Sequence, residues 1–525
     1  MRVSRRSLAI AALVAGAVVL FILTLPITIT PHIKRRLLDA VGERFDSHVA
    51  VDELAVTVLP RVRVQGRGLV LRQAKRPNGP PLITIATFSA DASLFAFLRD
   101  PLRLGEVRLD GLEINVPPGG IDLPDKDEAG ATEAPDSSAS TEEKGDAPGK
   151  SPLIVARLVS ERASLRLLRN APGKSPRVFE IQHLAMEDVG ANHPWPFRAQ
   201  LTNPTPPGEI KTEGTFGPWD TARPQATPLS ASYDFQNADL GVFDGIQGAL
   251  ASTGTFSGVL ERIDVTGEAR VPAFALSDVG NIVPLQTTFH SIVDGTSGDT
   301  LLQPVDALLL TSHILAAGGV VEREGEEGRT VTLDVQMDDA RVEDVLRLAV
   351  KGSRPGMTGQ LKVATKFVLP PGKRDVIEKL RLEGTFAVEE ARFTTQTVQS
   401  KVDEFSTKAR GVPDDTPPPV VSNFKGRFAM RDGVIRFSDV AFSMPGARVN
   451  VAGAYVMATE ALDFRGTVRL DARLSSFTSG FKKVLVRLID GLFRHEDITV
   501  IPIIIGGTAQ QPKVRLDFGR VLRRN

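Results

Sequence analysis

The stretch LDFRGTVRLDARL, residues 462–474, alternates apolar and polar side chains with a period of two. One side carries Leu462, Phe464, Gly466, Val468, Leu470 and Leu474, and the other carries Asp463, Arg465, Thr467, Arg469, Asp471 and Arg473. Successive side chains of a β-strand point to opposite faces, so the pattern predicts a strand with one dry face and one wet face. Residues 59–67 and 330–337 alternate in the same way. This pattern is typical of an antiparallel sheet that covers something on one side only.

A short glycine motif recurs along the chain. EGTF occurs at 213–216 and 383–386, with GTF at 254–256, GRF at 426–428 and GTV at 466–468. We expect these glycines at or near the starts of strands, where glycine permits a tight turn or a bulge. Such repetition predicts an elongated sheet in which each strand contacts mainly its neighbours.

Strand patterns dominate the rest of the sequence. Roughly 20 to 25 strands are separated by clusters of Gly, Pro, Asn and Asp. Beyond residues 31–45, where apolar residues at helical spacing could extend the N-terminal helix, the best helical patterns lie at 342–350 and 481–493, with a weaker one at 240–250. The predicted fold class is therefore mainly β: an N-terminal transmembrane helix, then an elongated, curled antiparallel sheet of repeated β units with a few short helices.

The N-terminus predicts a membrane anchor. Residues 8–25 are uncharged and almost wholly apolar, and the apolar tendency continues to Ile29. Eighteen helical residues reach about 27 Å, close to the thickness of a bilayer's hydrocarbon core. A cleaved signal peptide is the alternative, but no small-x-small cleavage site follows the apolar run. Arginines flank the run on both sides, and a short tail ahead of a long body favours a cytoplasmic tail and an exported body.

Composition changes divide the remaining chain. Residues 117–152 are rich in Pro, Gly, Ser, Ala and Glu and predict a disordered acidic linker, and a shorter break lies at 411–420. The predicted organisation is an anchor with a short cytoplasmic tail at 1–30, an N-terminal β segment at 31–116, the linker at 117–152, a middle β-repeat region at 153–420 and a C-terminal module at 421–525.

Composition also excludes several classes of function. Lys plus Arg and Asp plus Glu both number 63, so the chain lacks the basic excess expected of a nucleic-acid-binding protein. There are no cysteines, which removes disulfide frameworks and thiolate metal sites. Phe occurs 26 times but Trp and Tyr only twice each, which disfavours the aromatic girdles of an outer-membrane barrel.

No catalytic motif is complete. GDAPGKS at 145–151 has three residues between its glycines where a phosphate-binding loop has four. HEDIT at 495–499 lacks the second histidine of a zinc-protease motif, and the other histidines show no ligand spacing. We therefore predict no enzyme activity, no cofactor and no catalytic or metal site.

The order of features at both ends of the chain resembles that of AsmA-like proteins. Residues 424–471 give a Gly-start strand, a DG turn, a GAY strand and an LDFRG strand, and IPIIIGGTAQQPKVRLDF closes the module at 501–518. At the other end, the apolar run precedes VDELAVTVLPRVRVQGRGLVLR at 51–72. The resemblance implies a single-pass bacterial inner-membrane protein whose periplasmic body forms a taco-like β groove. It also implies phospholipid as cargo, carried towards the outer membrane, and a possible envelope-protein partner.

Two sets of residues are predicted to carry this function. A sheet with one apolar face and few helices to cover it can curl into a groove that holds acyl chains. The predicted groove lining is Leu462, Phe464, Val468, Leu470, Val514, Leu516 and Phe518. An amphipathic helix with Phe481, Val484, Leu485, Leu488, Ile489 and Leu492 either packs on the dry face or binds a membrane surface or partner. The alternative function is a non-enzymatic scaffold or regulator of outer-membrane protein assembly, with its apolar face closed by self-packing.

Overall fold

The structure is a computed structural model that describes most of the chain. The described residues are 35, 37–42, 47–57, 62–73, 80–93, 96, 101–116, 153–168, 176–220, 223–276, 279–323, 328–350, 352, 354–410, 420–470, 499–509 and 511–517. The predicted anchor at 8–29, the linker at 117–152 and the amphipathic helix at 481–493 lie outside these residues.

The mainly β prediction is confirmed, since strands dominate the described residues and belong to one large mixed sheet. The helices are α1 (37–42), α2 (Val342–Ala349), α3 (Val376–Lys379) and α4 (Gln396–Arg410). Helix α2 confirms the prediction at 342–350. The weak helix predicted at 240–250 is wrong, because only a 3-10 turn forms there, at Leu240–Val242. None of the described helices is both long enough and apolar enough to cross a membrane.

The strands follow one another with few interruptions. The first ten are β1 (Ser47–Ala50), β2 (Glu53–Thr57), β3 (Val62–Gln73), β4 (Ile83–Ala92), β5 (Leu102–Val116), β6 (Leu153–Ser160), β7 (Ala163–Leu167), β8 (Arg177–Val189), β9 (Trp195–Pro204) and β10 (Pro207–Phe216). The next five are β11 (Pro228–Asp239), β12 (Ile246–Gln247), β13 (Ala249–Val259), β14 (Arg262–Leu276) and β15 (Val279–Val293). The last eleven are β16 (Thr300–Leu309), β17 (Ser312–Glu322), β18 (Arg329–Arg341), β19 (Met357–Leu369), β20 (Arg381–Phe393), β21 (Ser422–Arg431), β22 (Val434–Met444), β23 (Ala447–Val456), β24 (Ala461–Leu470), β25 (Thr499–Gly507) and β26 (Pro512–Leu516).

The chain divides into two compact units. The N-terminal unit comprises Met1–Gln236, Thr253–Val265 and Val293–Asp299, and the C-terminal unit comprises Asn237–Ser252, Thr266–Ile292 and Thr300–Asn525. Strands β1 to β10 therefore belong to the N-terminal unit, and β16 to β26 belong to the C-terminal unit.

The N-terminal unit contains the parallel part of the sheet. Strand β5 pairs in parallel with both β6 and β7, whereas the other pairings recorded in this unit are antiparallel. The prediction of a wholly antiparallel sheet is therefore wrong at this point. The physical reason is connection length: a parallel pair needs a crossover of a dozen or more residues, and 36 residues separate Val116 from Leu153. Backbone pairing thus continues from β5 to β6 despite the long insertion.

The same unit has a closed apolar core. Val62 and Val64 are fully buried and Leu102 is 1 % exposed, and Leu37 and Ala40 of α1 pack into the same cluster. Trp195 of β9 also lies in this cluster and donates its indole N–H to the carbonyl of Ala191 at 3.0 Å. We call this cluster of buried residues the closed core.

The C-terminal unit is an antiparallel meander. Each strand from β16 to β25 pairs with the next one along the chain. Most of these pairings contain a register shift, for example at Asp338 and Asp339 of β18 and at Glu389 and Glu390 of β20. Such bulges bend a strand and increase its twist, so they favour curvature of the sheet.

The recurrent glycines lie inside strands. Gly384 is the fourth residue of β20 and lies near its start, as expected. Gly214 comes near the end of β10, so the expectation that these glycines lie at or near strand starts is wrong for that position. A Cβ atom at Gly384 would lie 2.2 Å from the carbonyl oxygen of Ala364 on the neighbouring strand, and one at Gly453 would lie 2.2 Å from that of Asp463. Backbone of adjacent strands approaches too closely there for any side chain, as at the kinks of a strongly coiled sheet.

Candidate apolar binding face

One face of the C-terminal unit is lined by phenylalanine. Alternation along β20 to β24 brings seven rings to the same side of the sheet, and we call them the phenylalanine face: Phe386, Phe393, Phe424, Phe428, Phe437, Phe442 and Phe464. The strand register confirms the common side, since Phe428 lies opposite Phe437, and Phe424 lies opposite Phe442. About a quarter of the chain's phenylalanines therefore share one surface.

The rings form two rows that cross the strands. In the first row, Phe386 lies 6.3 Å from Phe428 and 5.7 Å from Phe437, and Phe437 lies 5.6 Å from Phe464, measured between ring centroids. In the second row, the centroid of Phe424 lies 4.4 Å from that of Phe442 and 6.1 Å from that of Phe393. These distances are those of attractive aromatic pairs. The contacts make each row a continuous apolar track.

Glycines on the same face make room for the rings. Gly453 lies between Phe437 and Phe464 in the register of β22, β23 and β24. A Cβ at Gly426 would come within 3.0 Å of the ring of Phe386. The recurrent glycine therefore has two roles here, because it permits close backbone approach and leaves space that an aromatic ring from the next strand fills.

The phenylalanine face is not sealed. All seven rings are only partly buried, whereas valines further along the same strands, such as Val388 and Val440, are buried. Single exposed apolar residues are common on protein surfaces, but a contiguous apolar patch marks a binding surface. A face of seven adjoining, partly exposed rings is such a patch.

Helix α2 borders this face. Val345 and Leu346 of α2 pack against the cluster that contains Leu361, Val388 and the rings of Phe386 and Phe424. The start of the helix is fixed by the buried carboxylate of Asp344. Its Oδ2 accepts hydrogen bonds from the backbone N–H and the hydroxyl of Thr311 at 3.1 and 2.7 Å, and from the hydroxyl of Ser312 at 2.8 Å.

The end of α2 is fixed as well. The side-chain amide of Asn281 donates to the carbonyls of Arg347, Val350 and Gly352 at 3.0, 3.3 and 3.1 Å. A Cβ at Gly280 would lie 1.7 Å from the carbonyl oxygen of Leu348, so the β15 backbone packs directly on the helix. Helix α2 is therefore held at both ends and acts as a fixed wall of the apolar face.

A second cluster closes the other end of the strands. Met430 and Met457 are buried there, with Ile377 and Leu380 from the α3 region and Tyr455 from β23 packed around them. The hydroxyl of Tyr455 is buried without a hydrogen-bond partner among the described residues. Burial, helped by the carboxylate of Glu460, raises the pKa of Tyr455 to about 12. The hydroxyl is thus neutral in the physiological range.

The residues predicted to line a groove fall into three groups. Leu462, Phe464 and Val468 share one side of β24, and Val468 is 6 % exposed in a cluster with Val449, Ile501 and Ile503. Val514 lies opposite Ile505 on the last strand and is 64 % exposed. Leu470 and Leu516 belong to β24 and β26, and their side chains, like all of Phe518, lie outside the description. The sequence prediction missed six of the seven phenylalanines.

The opposite face of the same strands is charged. Lys362 pairs with Glu389 at 3.1 Å and Arg427 with Asp439 at 3.9 Å, all with exposed or half-exposed side chains. Exposed pairs of this kind contribute little to stability. They keep one face of the sheet wet and confine apolar surface to the other face.

The N-terminal unit contains a polar depression of about 700 Å³. Its charged groups are largely paired with each other: Arg162 holds Asp110 through two hydrogen bonds of 2.8 and 2.6 Å, and Arg67 lies 3.8 Å from Glu53. Hydrogen bonding from Arg162 lowers the pKa of Asp110. These pairs are typical of a solvated sheet face, so the phenylalanine face is the stronger candidate site.

Histidines and carboxylates do not assemble into a metal site in the described part of the chain. His183 contacts Glu161 at 3.3 Å and His313 contacts Asp306 at 3.0 Å, each as a single exposed pair. Within that part, no group of three His, Asp or Glu side chains is placed to hold a metal ion.

Comparisons with known proteins found no match to this chain. No family model matches the chain, and searches of curated proteins and of solved structures found no significant match. The likeness to AsmA-like proteins therefore stays a prediction from sequence motifs.

Proposed function

We propose that this chain binds the acyl chains of phospholipids along the phenylalanine face and passes them along its sheet as a membrane-anchored lipid-transfer protein. The observation that supports this most directly is the row of partly exposed rings on a sheet whose other face is charged. Phenylalanine has no polar tip, so its ring suits contact with hydrocarbon and not with a headgroup or sugar.

The dimensions of the face match those of a lipid tail. Four strand spacings separate β20 from β24, or about 19 Å at the usual distance between strands. Half of a bilayer's hydrocarbon core, the depth that one acyl chain occupies, is about 15 Å. Each methylene kept from water contributes about 0.8 kcal/mol, so a chain lying along the row would be held firmly.

Location and partners follow the same proposal. Residues 8–29 would anchor the chain in the bacterial inner membrane, with the body in the periplasm and the cargo moving towards the outer membrane. An envelope protein would then receive or supply lipid. The AsmA-like order of motifs supports this arrangement, since those proteins are built as an anchor followed by a β groove.

The test is site-specific photo-crosslinking in the full-length chain. A photoreactive amino acid is placed at Phe437 or Phe464 on the apolar face, or at Ser443 or Ala452 on the charged face of β22 and β23. We expect labelled phospholipid to attach at the first two positions and not at the last two. Absence of lipid at positions 437 and 464 in a folded protein would contradict the proposal.

A scaffold is the second candidate function. The closed core of the N-terminal unit supports it, because that apolar face is covered by the protein's own side chains and has no room for an acyl chain. Under this hypothesis the same photoreactive positions would attach to protein or to nothing. Protein adducts at Phe437, with no lipid adduct, would favour the scaffold.

A further inference from the structure

The charged face of the last four strands differs from that of the preceding meander. Strands β23 to β26 carry five cations and a single carboxylate, Asp463. We call the five cations the basic patch: Arg448, Arg465, Arg469, Lys513 and Arg515. All five are exposed. Strands β18 to β21, by contrast, carry nine cations and six carboxylates.

The register places like charges together within this patch. Arg448 lies directly opposite Arg469, with no carboxylate between them. Arg465 and Arg515 lie on either side of Ile504, in line across three strands. Like charges directly opposite each other destabilise a sheet. Earlier in the meander, by contrast, Lys362 and Arg427 each have a carboxylate partner.

An apolar strip runs through the centre of the basic patch. Strand β25 has no charged residue, and Val500, Pro502 and Ile504 are half-buried on its outward face. These three residues lie opposite Arg469, Thr467 and Arg465 of β24. Apolar side chains ringed by Lys and Arg are typical of surfaces that rest in the headgroup region of a membrane.

We propose that the basic patch docks the C-terminal strands on an anionic phospholipid membrane surface. The cations would neutralise headgroup phosphates, which removes the repulsion between Arg448 and Arg469. The strip at Val500, Pro502 and Ile504 would reach the interface. This docking surface lies on the opposite side of the sheet from the phenylalanine face, and it does not depend on acyl-chain binding there.

The test uses the full-length chain held in nanodiscs of phosphatidylcholine. Its binding to immobilised vesicles is measured at low and high salt, with vesicles of pure phosphatidylcholine or of a mixture containing phosphatidylglycerol. We expect binding to the anionic vesicles that weakens with salt. Each cation near an anionic surface contributes about a fivefold change in affinity, so Arg448→Gln, Arg465→Gln and Arg469→Gln together should weaken binding about a hundredfold.

Two matched variants define the outcome. Lys366→Gln, Arg392→Gln and Lys425→Gln remove three exposed cations from β19, β20 and β21 and should leave vesicle binding unchanged. Arg448→Lys, Arg465→Lys and Arg469→Lys together should keep vesicle binding close to that of the unchanged protein, because a membrane surface attracts positive charge without needing the guanidinium fork. Equal loss in the two glutamine variants, or no preference for anionic vesicles, would overturn the proposal. Failure of the lysine variant to bind anionic vesicles would also overturn it, because attraction to a charged membrane surface does not depend on which cation is present.

Discussion

The closed core of the N-terminal unit and the phenylalanine face of the C-terminal unit begin from the same sequence pattern. Both arise from strands in which apolar and polar residues alternate. In the closed core, valine and leucine are sealed by α1 and by neighbouring strands, with Val62 and Val64 wholly buried. On the phenylalanine face, glycine and phenylalanine replace many of the aliphatic residues, and the rings stay partly exposed. Alternation therefore predicts a dry face but not what covers it.

The types of side chain on the dry face explain why one region is sealed and the other is not. Branched aliphatic residues interdigitate and fill an enclosed volume. Flat rings beside glycines form a smooth surface that a flexible hydrocarbon can lie on. Four predictions test whether the two regions differ in packing and in lipid binding.

The largest effect is expected in the closed core. Leu102→Ala should lower the free energy of unfolding by about 3 kcal/mol, because it leaves a cavity in a sealed cluster. Phe437→Ala should cost about half as much, since its ring is already partly in water. Both tryptophans lie in the N-terminal unit, so urea unfolding followed by their fluorescence reports the first variant. Hydrogen exchange of β22 measures the loss of stability in Phe437→Ala. Equal losses in the two variants would mean that the two regions do not differ in packing.

The next effect concerns the glycine at the centre of the first ring row. Gly453→Ala should destabilise β23 by about 2 kcal/mol, because the new Cβ would meet the carbonyl oxygen of Asp463 at 2.2 Å. Hydrogen exchange of β23 and β24 measures the change. Gly356→Ala is the matched control, since a Cβ there has no atom within 4 Å. If both substitutions have the same effect, close approach is not the reason for the glycine.

A third prediction separates binding from folding. Phe437→Asp with Phe464→Asp should reduce phospholipid that copurifies with the chain at least about tenfold, because a carboxylate would have to lose its water beside hydrocarbon. Val468 is left unchanged, because it is buried and a charge there would disrupt folding as well as binding. Ser443→Asp with Ala452→Asp places the same charges on the opposite face. Lipid extraction and mass spectrometry compare the two variants, and equal lipid content would count against the binding face.

The smallest effect involves Tyr455. Its pKa, raised by burial to about 12 from 10.0, means that the native state binds its proton more tightly than the unfolded state. Stability from this group is therefore fully present below pH 10 and is lost as the pH rises towards 12. Tyr455→Phe should remove that alkaline loss and raise stability near neutral pH by less than about 1 kcal/mol. Thermal unfolding at about pH 9 and about pH 11 measures both, with Tyr233→Phe as the control.

Much of the fold follows from local patterns. The alternation in 330–337 and 462–470 predicts β18 and β24, and the amphipathic spacing at 342–350 predicts α2. Helix α4 was missed because its sequence is polar on most sides. Tertiary contacts hold it instead: Asp403 accepts the backbone N–H of Val420 at 2.7 Å, and Ser406 donates to the carbonyl of Pro445 at 2.7 Å.

The candidate site was harder to predict, because it depends on register. Phe428 and Phe437 face each other across one hairpin, but Phe386 lies on β20 and Phe464 on β24, and only the pairing of successive strands brings all of these rings together. Register in turn depends on bulges such as those at Glu389 and Asp439, which carry no distinctive sequence signal. The same applies to the parallel pairing of β5, since it joins residues across a long insertion.

The meander from β16 to β25 has a consequence for how the chain comes to be folded. Each strand from β17 to β26 pairs with the strand that precedes it in the chain, and at most 28 residues separate the two. Local pairing lowers the entropy lost in closing each loop and favours rapid folding. Synthesis delivers on the order of 10 residues per second, so a new strand would emerge about once each second or two. The C-terminal unit would then assemble strand by strand as the chain emerges, with only its newest edge open to the wrong partner.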